Sequence, residues 1–207
     1  MESTLSLLSL VGVAVFAMSG ALVAHEDKFD LVGALFLAIA TAIGGGTIVD
    51  LVIGHTPVRW VGDPTPLFIA AIAGLVAYGA VTLARLPSMT HRLMIWADAV
   101  GLAVFTATGM ERLTALGFDP IVCAFLAAIG ASGGGMLRDV LANRTPIVFA
   151  RETELYVTAA FAGAAAYLGA QAIAGGHIPL IAALVITGAV RAAGIVFGLT
   201  LSGRKAR

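Results

Sequence analysis

The stretch Gly44-Gly45-Gly46-Thr47-Ile48-Val49-Asp50 decides the fold, because it returns 89 residues later as Gly133-Gly134-Gly135-Met136-Leu137-Arg138-Asp139. The match continues on both sides at the same offset and without gaps. Windows 11–24, 44–57 and 65–78 each share six of fourteen residues with their counterparts, where composition alone gives about one or two. The chain therefore contains an internal duplication.

The composition places this duplication in a membrane. Of 207 residues, 59% are apolar and only 12% are charged, and the mean hydropathy is +1.00. A soluble domain carries roughly 25% charged residues. This excludes a disordered chain and an ordinary cytosolic enzyme. Twelve basic and twelve acidic residues cancel, so the net charge favours no nucleic-acid partner.

Seven apolar segments are long enough for membrane-spanning helices, each of which needs about 20 residues. Short loops join them and leave no room for a soluble domain. The predicted spans are 5–24, 31–53, 67–84, 93–110, 121–142, 155–173 and 178–202.

Each copy of the repeat holds three spans, and three is an odd number. The second copy therefore enters the membrane from the opposite side, as in inverted-repeat transporters. We predict an all-α integral membrane protein with seven transmembrane helices, in a 3+3 inverted repeat plus one extra helix. Residues 1–89 form the first repeat, 90–175 the second, and 176–207 the seventh helix and a basic tail.

The distribution of Lys and Arg predicts the orientation. Residues 1–4 contain no Lys or Arg, so we interpret the first span as retained and not as a signal peptide. Arg59 and Arg112 fall on the N-terminal side. Eight basic residues fall on the other side: Lys28, Arg85, Arg92, Arg144, Arg151, Arg204, Lys205 and Arg207. We predict a multi-pass protein of the cell inner membrane with its N-terminus outside and its C-terminus in the cytoplasm.

The two glycine triplets, 44–46 and 133–135, have two interpretations. Each glycine forfeits about 1 kcal/mol of helix propensity relative to alanine. The favoured interpretation is a broken or kinked helix whose backbone lines a water-filled path. The alternative is close helix packing through small residues. Because the triplets are duplicated and each is followed by Asp, we expect the break.

Five charged residues lie inside predicted spans: Asp50, Asp98, Arg138, Asp139 and Arg191. A central charge costs at least about 2.5–3.5 kcal/mol, so such residues face a cavity or a partner. They either line an ion pathway or form buried ion pairs between helices. Thr47 and Ser132 are further candidates for the pathway, although such hydroxyls often bond to their own helix.

Other classes of site find little support. The glycine triplets lack the Gly-Lys-Ser/Thr ending of a phosphate-binding loop. The four histidines are scattered at span ends, and Cys123 is the single cysteine, so no metal site or disulfide is expected. Because no set of nucleophile and base can be assembled, we expect neither an enzyme nor a resident cofactor.

The paired motifs resemble the GGG-x-x-R-D motifs of bacterial members of the trimeric intracellular cation (TRIC) channel superfamily. Residues 97–102 and Phe105 resemble the fourth-span signature of that family, and Arg191 resembles its seventh-span arginine. The resemblance implies a homotrimer with one pore in each protomer, lined partly by the second and fifth spans, that passes monovalent cations, chiefly K⁺. Val49 departs from the family, which usually has Arg there.

Three hypotheses follow. The first is a K⁺-permeable homotrimeric channel in which Asp50, Asp98 and Asp139 attract cations while Arg138 and Arg191 pair or gate. The second is a secondary transporter of glycine or a similar small zwitterion, since some similar bacterial proteins import glycine. The third is a structural or lipid-binding membrane protein. The expected ligands are permeant K⁺ or Na⁺ and membrane lipids.

Overall fold

A computed structural model of the chain describes residues 2–84, 87–149 and 155–200. This part of the chain is almost wholly helical. The helices are α1 (Glu2–Glu26), α2 (Leu31–Val52), α3 (Arg59–Gly62), α4 (Thr65–Ala84), α5 (Pro87–Ala115), α6 (Pro120–Leu141), α7 (Val157–Ile173) and α8 (Ile178–Phe197), with a 3-10 turn at Ile147–Phe149.

Six of these helices are long and apolar enough to cross a membrane, and α7 is a shorter apolar helix of 17 residues. The chain is therefore a multi-pass membrane protein. The predicted seventh span is too long, because α8 ends at Phe197. Gly198 follows it with φ +61°, the left-handed conformation that commonly ends a helix. Arg85, Arg151, Arg204, Lys205 and Arg207, which support the predicted orientation, lie outside the described residues.

Helices α2 and α6 begin and end at equivalent positions of the two repeats. Asp30 caps α2 by accepting a hydrogen bond from the Gly33 amide at 2.7 Å, and Asp119 caps α6 by accepting one from the Ile121 amide at 2.8 Å. Beyond the other end of each helix, Gly54 and its equivalent Asn143 both have positive φ. The repeat therefore specifies local backbone geometry as well as hydropathy.

The equivalent helices also pack on each other. Helix α1 packs against α5, and α2 packs against α6, while α8 lies against α5 and α7. The Phe16 ring stacks on the Phe105 ring at 5.3 Å between centroids. Gly12 faces Phe105, and its equivalent Gly101 faces Phe16. These contacts are reciprocal, as contacts across a two-fold axis are.

A salt-bridge cluster joins two loops at the end of the bundle opposite the N-terminus. Arg144 lies 2.7 Å from Asp27 and 2.9 Å from Glu26, both at the end of α1. Burial lowers the pKa of Arg144, but hydrogen bonds from its guanidinium to these two carboxylates raise it overall.

At the other end of the bundle, hydrogen bonds from Thr65 lower the pKa of Asp63 beside the start of α4.

Candidate functional site

The glycine triplets lie where α2 crosses α6. A methyl group on Gly45 would collide with the carbonyl oxygen of Gly130, and one on Gly134 would collide with the carbonyl oxygen of Thr41. Gly130 is the repeat equivalent of Thr41, so this contact is also reciprocal. Two helix backbones touch here because neither triplet has side chains.

Neither helix is broken at its triplet, so the broken form of the expected helix is wrong, whereas the kinked form stays a prediction. Helix α2 runs from Leu31 to Val52 and α6 from Pro120 to Leu141 without interruption at the triplets. The energy gained by close packing of the backbones compensates for the low helix propensity of glycine. The structure thus agrees with the alternative interpretation, in which small residues make a packing contact. The outer residues of the triplets have a second role, because Gly46 faces the Arg59 guanidinium and Gly135 faces Asp98 and Tyr156.

Three of the predicted charges meet in one fully buried cluster, which we call the arginine cluster. The Arg138 guanidinium donates hydrogen bonds to Asp98 at 2.7 Å and to Asp139 at 2.8 Å. It also donates to the hydroxyl of Ser19 in α1. Arg138 and Asp98 are both 0% exposed. Helices α1, α5 and α6 are therefore tied together on the side of the glycine contact away from the N-terminus.

Two further groups complete the surroundings of this cluster. The second carboxylate oxygen of Asp139 accepts a hydrogen bond from the Ile147 amide at 2.9 Å. The Arg191 guanidinium lies over the Tyr156 ring, 5.0 Å from its centroid, which is a favourable cation–π distance. Because Gly135 faces both Tyr156 and Asp98, this ring links Arg191 to the arginine cluster, and no motif in the sequence indicated it.

Asp50 lies in a separate cluster on the N-terminal side of the glycine contact. Its carboxylate accepts hydrogen bonds from the Arg59 amide at 3.1 Å and from the Arg59 guanidinium at 3.1 Å. Arg112 at the end of α5 approaches it to 2.7 Å. Two arginines thus surround one carboxylate. Asp50 is therefore ion-paired, which is one of the two alternatives that the sequence left open for it.

A cavity of about 70 Å³, which we call the vestibule, is lined in part by Arg59 and Arg112, the two partners of Asp50. It lies on the N-terminal side of the glycine contact, and its walls come from α1, α2, α5, α6 and Arg59. Its polar lining includes Ser9 and Thr108 in addition to Arg59 and Arg112. The vestibule is large enough to hold water.

The equivalent space in the other half is filled. The positions equivalent to Ser9, Val49 and Thr108 belong to the arginine cluster, where Arg138 donates hydrogen bonds to Asp98 and Ser19. A neighbouring space lined by Arg138, Asp139 and Tyr156 has no room for a water molecule. The difference follows from two substitutions between the repeats, since Ser9 corresponds to Asp98 and Val49 to Arg138. The first repeat has a short side chain and a hydrophobic one where the second has an ion pair. The arginine cluster therefore occupies the positions that line the vestibule in the first repeat.

The predicted hydroxyl residues bond to their own helices. Thr47 donates to the Ile43 carbonyl at 2.9 Å and accepts a hydrogen bond from the Trp60 indole at 3.0 Å. Ser132 donates to the Ala128 carbonyl at 2.7 Å. Thr47 does help to anchor α3, because Trp60 belongs to that helix. Within the described ranges, no three His, Cys, Asp or Glu side chains come together as metal ligands would.

Comparisons with known proteins agree with this fold. The family model described as "Glycine transporter" matches residues 6–82 and again 95–172, two segments that start 89 residues apart, as the repeats do. The UPF0126 inner membrane protein YadS of Escherichia coli K12 is 40% identical over 157 residues, which are 75% of this chain and 73% of YadS.

Solved structures give a second comparison. The trimeric intracellular cation channel orthologue of Rhodobacter sphaeroides superposes with a TM-score of 0.88 and 36% identity, over 95% of this chain and 100% of that one. A structure described as the basis for conductance through TRIC cation channels has a TM-score of 0.81 and 30% identity, over 98% of both chains. The resemblance stated from the two motifs is confirmed.

Proposed function

Because this chain belongs to the bacterial TRIC-like family of membrane proteins, we propose that it is a K⁺-permeable channel. The pathway runs through the protomer between α1, α2, α5 and α6. One observation carries the proposal: polar and charged side chains lie on both sides of the glycine contact, inside a fold similar to cation channels.

Each part of this pathway has a role. The vestibule admits hydrated cations, and the hydroxyls of Ser9 and Thr108 replace part of their water. Arg112 and Arg59 line the vestibule, and their partner Asp50 offsets part of their positive charge. Beyond the glycine contact, Arg138 occupies the space between Asp98 and Asp139 where a permeating cation would otherwise bind. The described conformation is a closed one, and the pathway opens when the guanidinium leaves this place.

The fold and assembly extend the same proposal. Residues 1–89 and 90–175 form two three-helix repeats of opposite orientation. The stacking of Phe16 on Phe105 and the reciprocal contacts of Gly45 with Gly130 and of Gly134 with Thr41 support this arrangement. Residues 176–207 add the seventh span. The protein assembles as a homotrimer with one pathway in each protomer, in the inner membrane with the N-terminus outside. Support for the trimer comes from the similarity to the Rhodobacter channel.

A flux assay tests the function. Purified protein is reconstituted into liposomes loaded with KCl, and K⁺ efflux is followed by the proton uptake it drives in the presence of a protonophore. We expect efflux above that of protein-free liposomes. Replacing K⁺ by the large cation N-methyl-D-glucamine should abolish it. Efflux equal to the protein-free control, with saturable uptake of labelled glycine in the same liposomes, would instead support the carrier hypothesis.

A further inference from the structure

A second cavity lies beside the vestibule, between the start of α1, the end of α5 and the start of α8. Its volume is about 310 Å³, against about 70 Å³ for the vestibule. We call it the side cavity. Its lining combines three polar residues with four apolar ones: Glu111, Arg112 and His177, then Leu5, Ala115, Leu116 and Leu180.

The polar groups of the side cavity carry opposite charges. Glu111 is held in place because one of its carboxylate oxygens accepts a hydrogen bond from the Tyr167 hydroxyl at 2.7 Å. Arg112 uses one terminal nitrogen to reach Asp50 at 2.7 Å, and a guanidinium has five N–H donors in all. His177 stands at the N-terminus of α8. The cavity thus offers an acceptor for an ammonium group and donors for an oxyanion.

The apolar residues indicate that the ligand has a hydrocarbon part. Leu116 is 55% exposed and Ile178, next to His177, is 54% exposed. These residues lie where α5 ends and α8 begins, at the ends of two apolar helices. In a bilayer, helix ends of this kind lie at the level of the lipid headgroups.

We propose that the side cavity binds a membrane lipid with a phosphoethanolamine headgroup. Its ammonium group contacts Glu111, its phosphate contacts Arg112 and His177, and its acyl chains follow the exposed surface around Leu116. The binding does not depend on whether the chain conducts K⁺. Because Arg112 lines both cavities and holds Asp50, an occupied side cavity also keeps that arginine at the vestibule wall.

Native mass spectrometry of the full-length, delipidated protein tests this assignment. The probes are phosphatidylethanolamine, phosphatidylcholine and phosphatidylglycerol with identical acyl chains. Phosphatidylcholine keeps the positive charge but has no N–H donor, and phosphatidylglycerol has no cation. We expect phosphatidylethanolamine to bind about tenfold more tightly than either, as a charge-assisted hydrogen bond requires. Equal affinities for the three lipids would overturn the proposal.

Three variants locate the site. Glu111→Gln should remove the preference for phosphatidylethanolamine over phosphatidylcholine, and His177→Ala, at an exposed position, should weaken both about equally. Asp63→Asn is the matched control, since it removes a carboxylate on the same side of the protein outside the cavity, and it should change neither affinity. An unchanged preference in Glu111→Gln would contradict the assignment. Displacement of the lipid by free glycine at equal concentration would also contradict it, because the site would then belong to a soluble zwitterion.

Discussion

Phe16 and Phe105 occupy the same position in the two repeats, and their rings stack at 5.3 Å between centroids and 10° between planes. This pair lies between α1 and α5, close to the backbone contact of Gly45 with Gly130. Separate sets of polar side chains lie on the two sides of this aromatic and glycine contact. One half contains an open vestibule, and the other contains Arg138 buried between two aspartates.

The glycine contact should be sensitive to a single methyl group. Gly45→Ala and Gly134→Ala each place a Cβ against a carbonyl oxygen of the facing helix, so we expect each to lower the free energy of unfolding by about 1–3 kcal/mol. Thermal unfolding in detergent measures this. Gly79→Ala and Gly169→Ala are matched controls, because a Cβ there meets no atom within 4 Å. Equal losses in all four variants would contradict the packing role.

Removing the guanidinium of the arginine cluster should be costly. Arg138→Gln leaves Asp98 and Asp139 buried without their cation, and breaking such a pair costs about 3–5 kcal/mol. The double variant Arg138→Gln with Asp98→Asn should recover part of the loss, because it also removes one of the two carboxylates that lost their cation. Thermal unfolding of both variants gives the comparison. A single variant as stable as the wild type would show that Arg138 does not hold α1, α5 and α6 together.

The vestibule should close if the first repeat is given the residues of the second. The double variant Ser9→Asp with Val49→Arg introduces the equivalents of Asp98 and Arg138. We expect its guanidinium to fill the vestibule and to reduce K⁺ flux in liposomes at least tenfold. Ser9→Asp alone, which adds only the acid, is the control and should retain flux. Undiminished flux in a folded double variant would place the pathway elsewhere.

Asp50 should influence K⁺ conductance because its carboxylate offsets the positive charges of Arg59 and Arg112. In Asp50→Asn the charges of Arg59 and Arg112 are no longer offset, so the vestibule becomes more positive and repels cations. We expect K⁺ conductance to fall severalfold at about 0.01 M salt and much less at about 1 M, where the Debye length shortens from about 30 Å to about 3 Å. Bilayer recordings at both concentrations test this. A reduction of equal size at both would indicate a structural effect.

The sequence predicted the positions of the apolar helices because apolar length and turn residues are local signals. The start of α2 at Leu31 and of α8 at Ile178 agree with the prediction. The glycine triplets were harder to interpret. Low propensity in one helix favours a break, whereas the compensating contact comes from a segment 89 residues away, whose position depends on the whole fold.

The partners of the charged residues were predicted only in part. Ion pairing among Asp98, Arg138 and Asp139 was one of the alternatives, because acids and bases nearly balance within the spans. The pairing of Asp50 with Arg59 and Arg112 was missed, although the two arginines were placed on the N-terminal side and Asp50 lies three residues from the end of the span that leads to Arg59. That shared depth in the membrane was the available signal. Tyr156 gave no signal, because its contact with Arg191 depends on how α8 packs.

Single-channel recording in a planar bilayer with a KCl gradient tests the central claim most directly. The claim is that cations cross the membrane through the vestibule and past Arg138. It predicts discrete openings that reverse near the K⁺ equilibrium potential, and their loss in the Ser9→Asp/Val49→Arg variant. A silent bilayer containing folded, inserted wild-type protein, or currents that reverse near the Cl⁻ equilibrium potential, would contradict it.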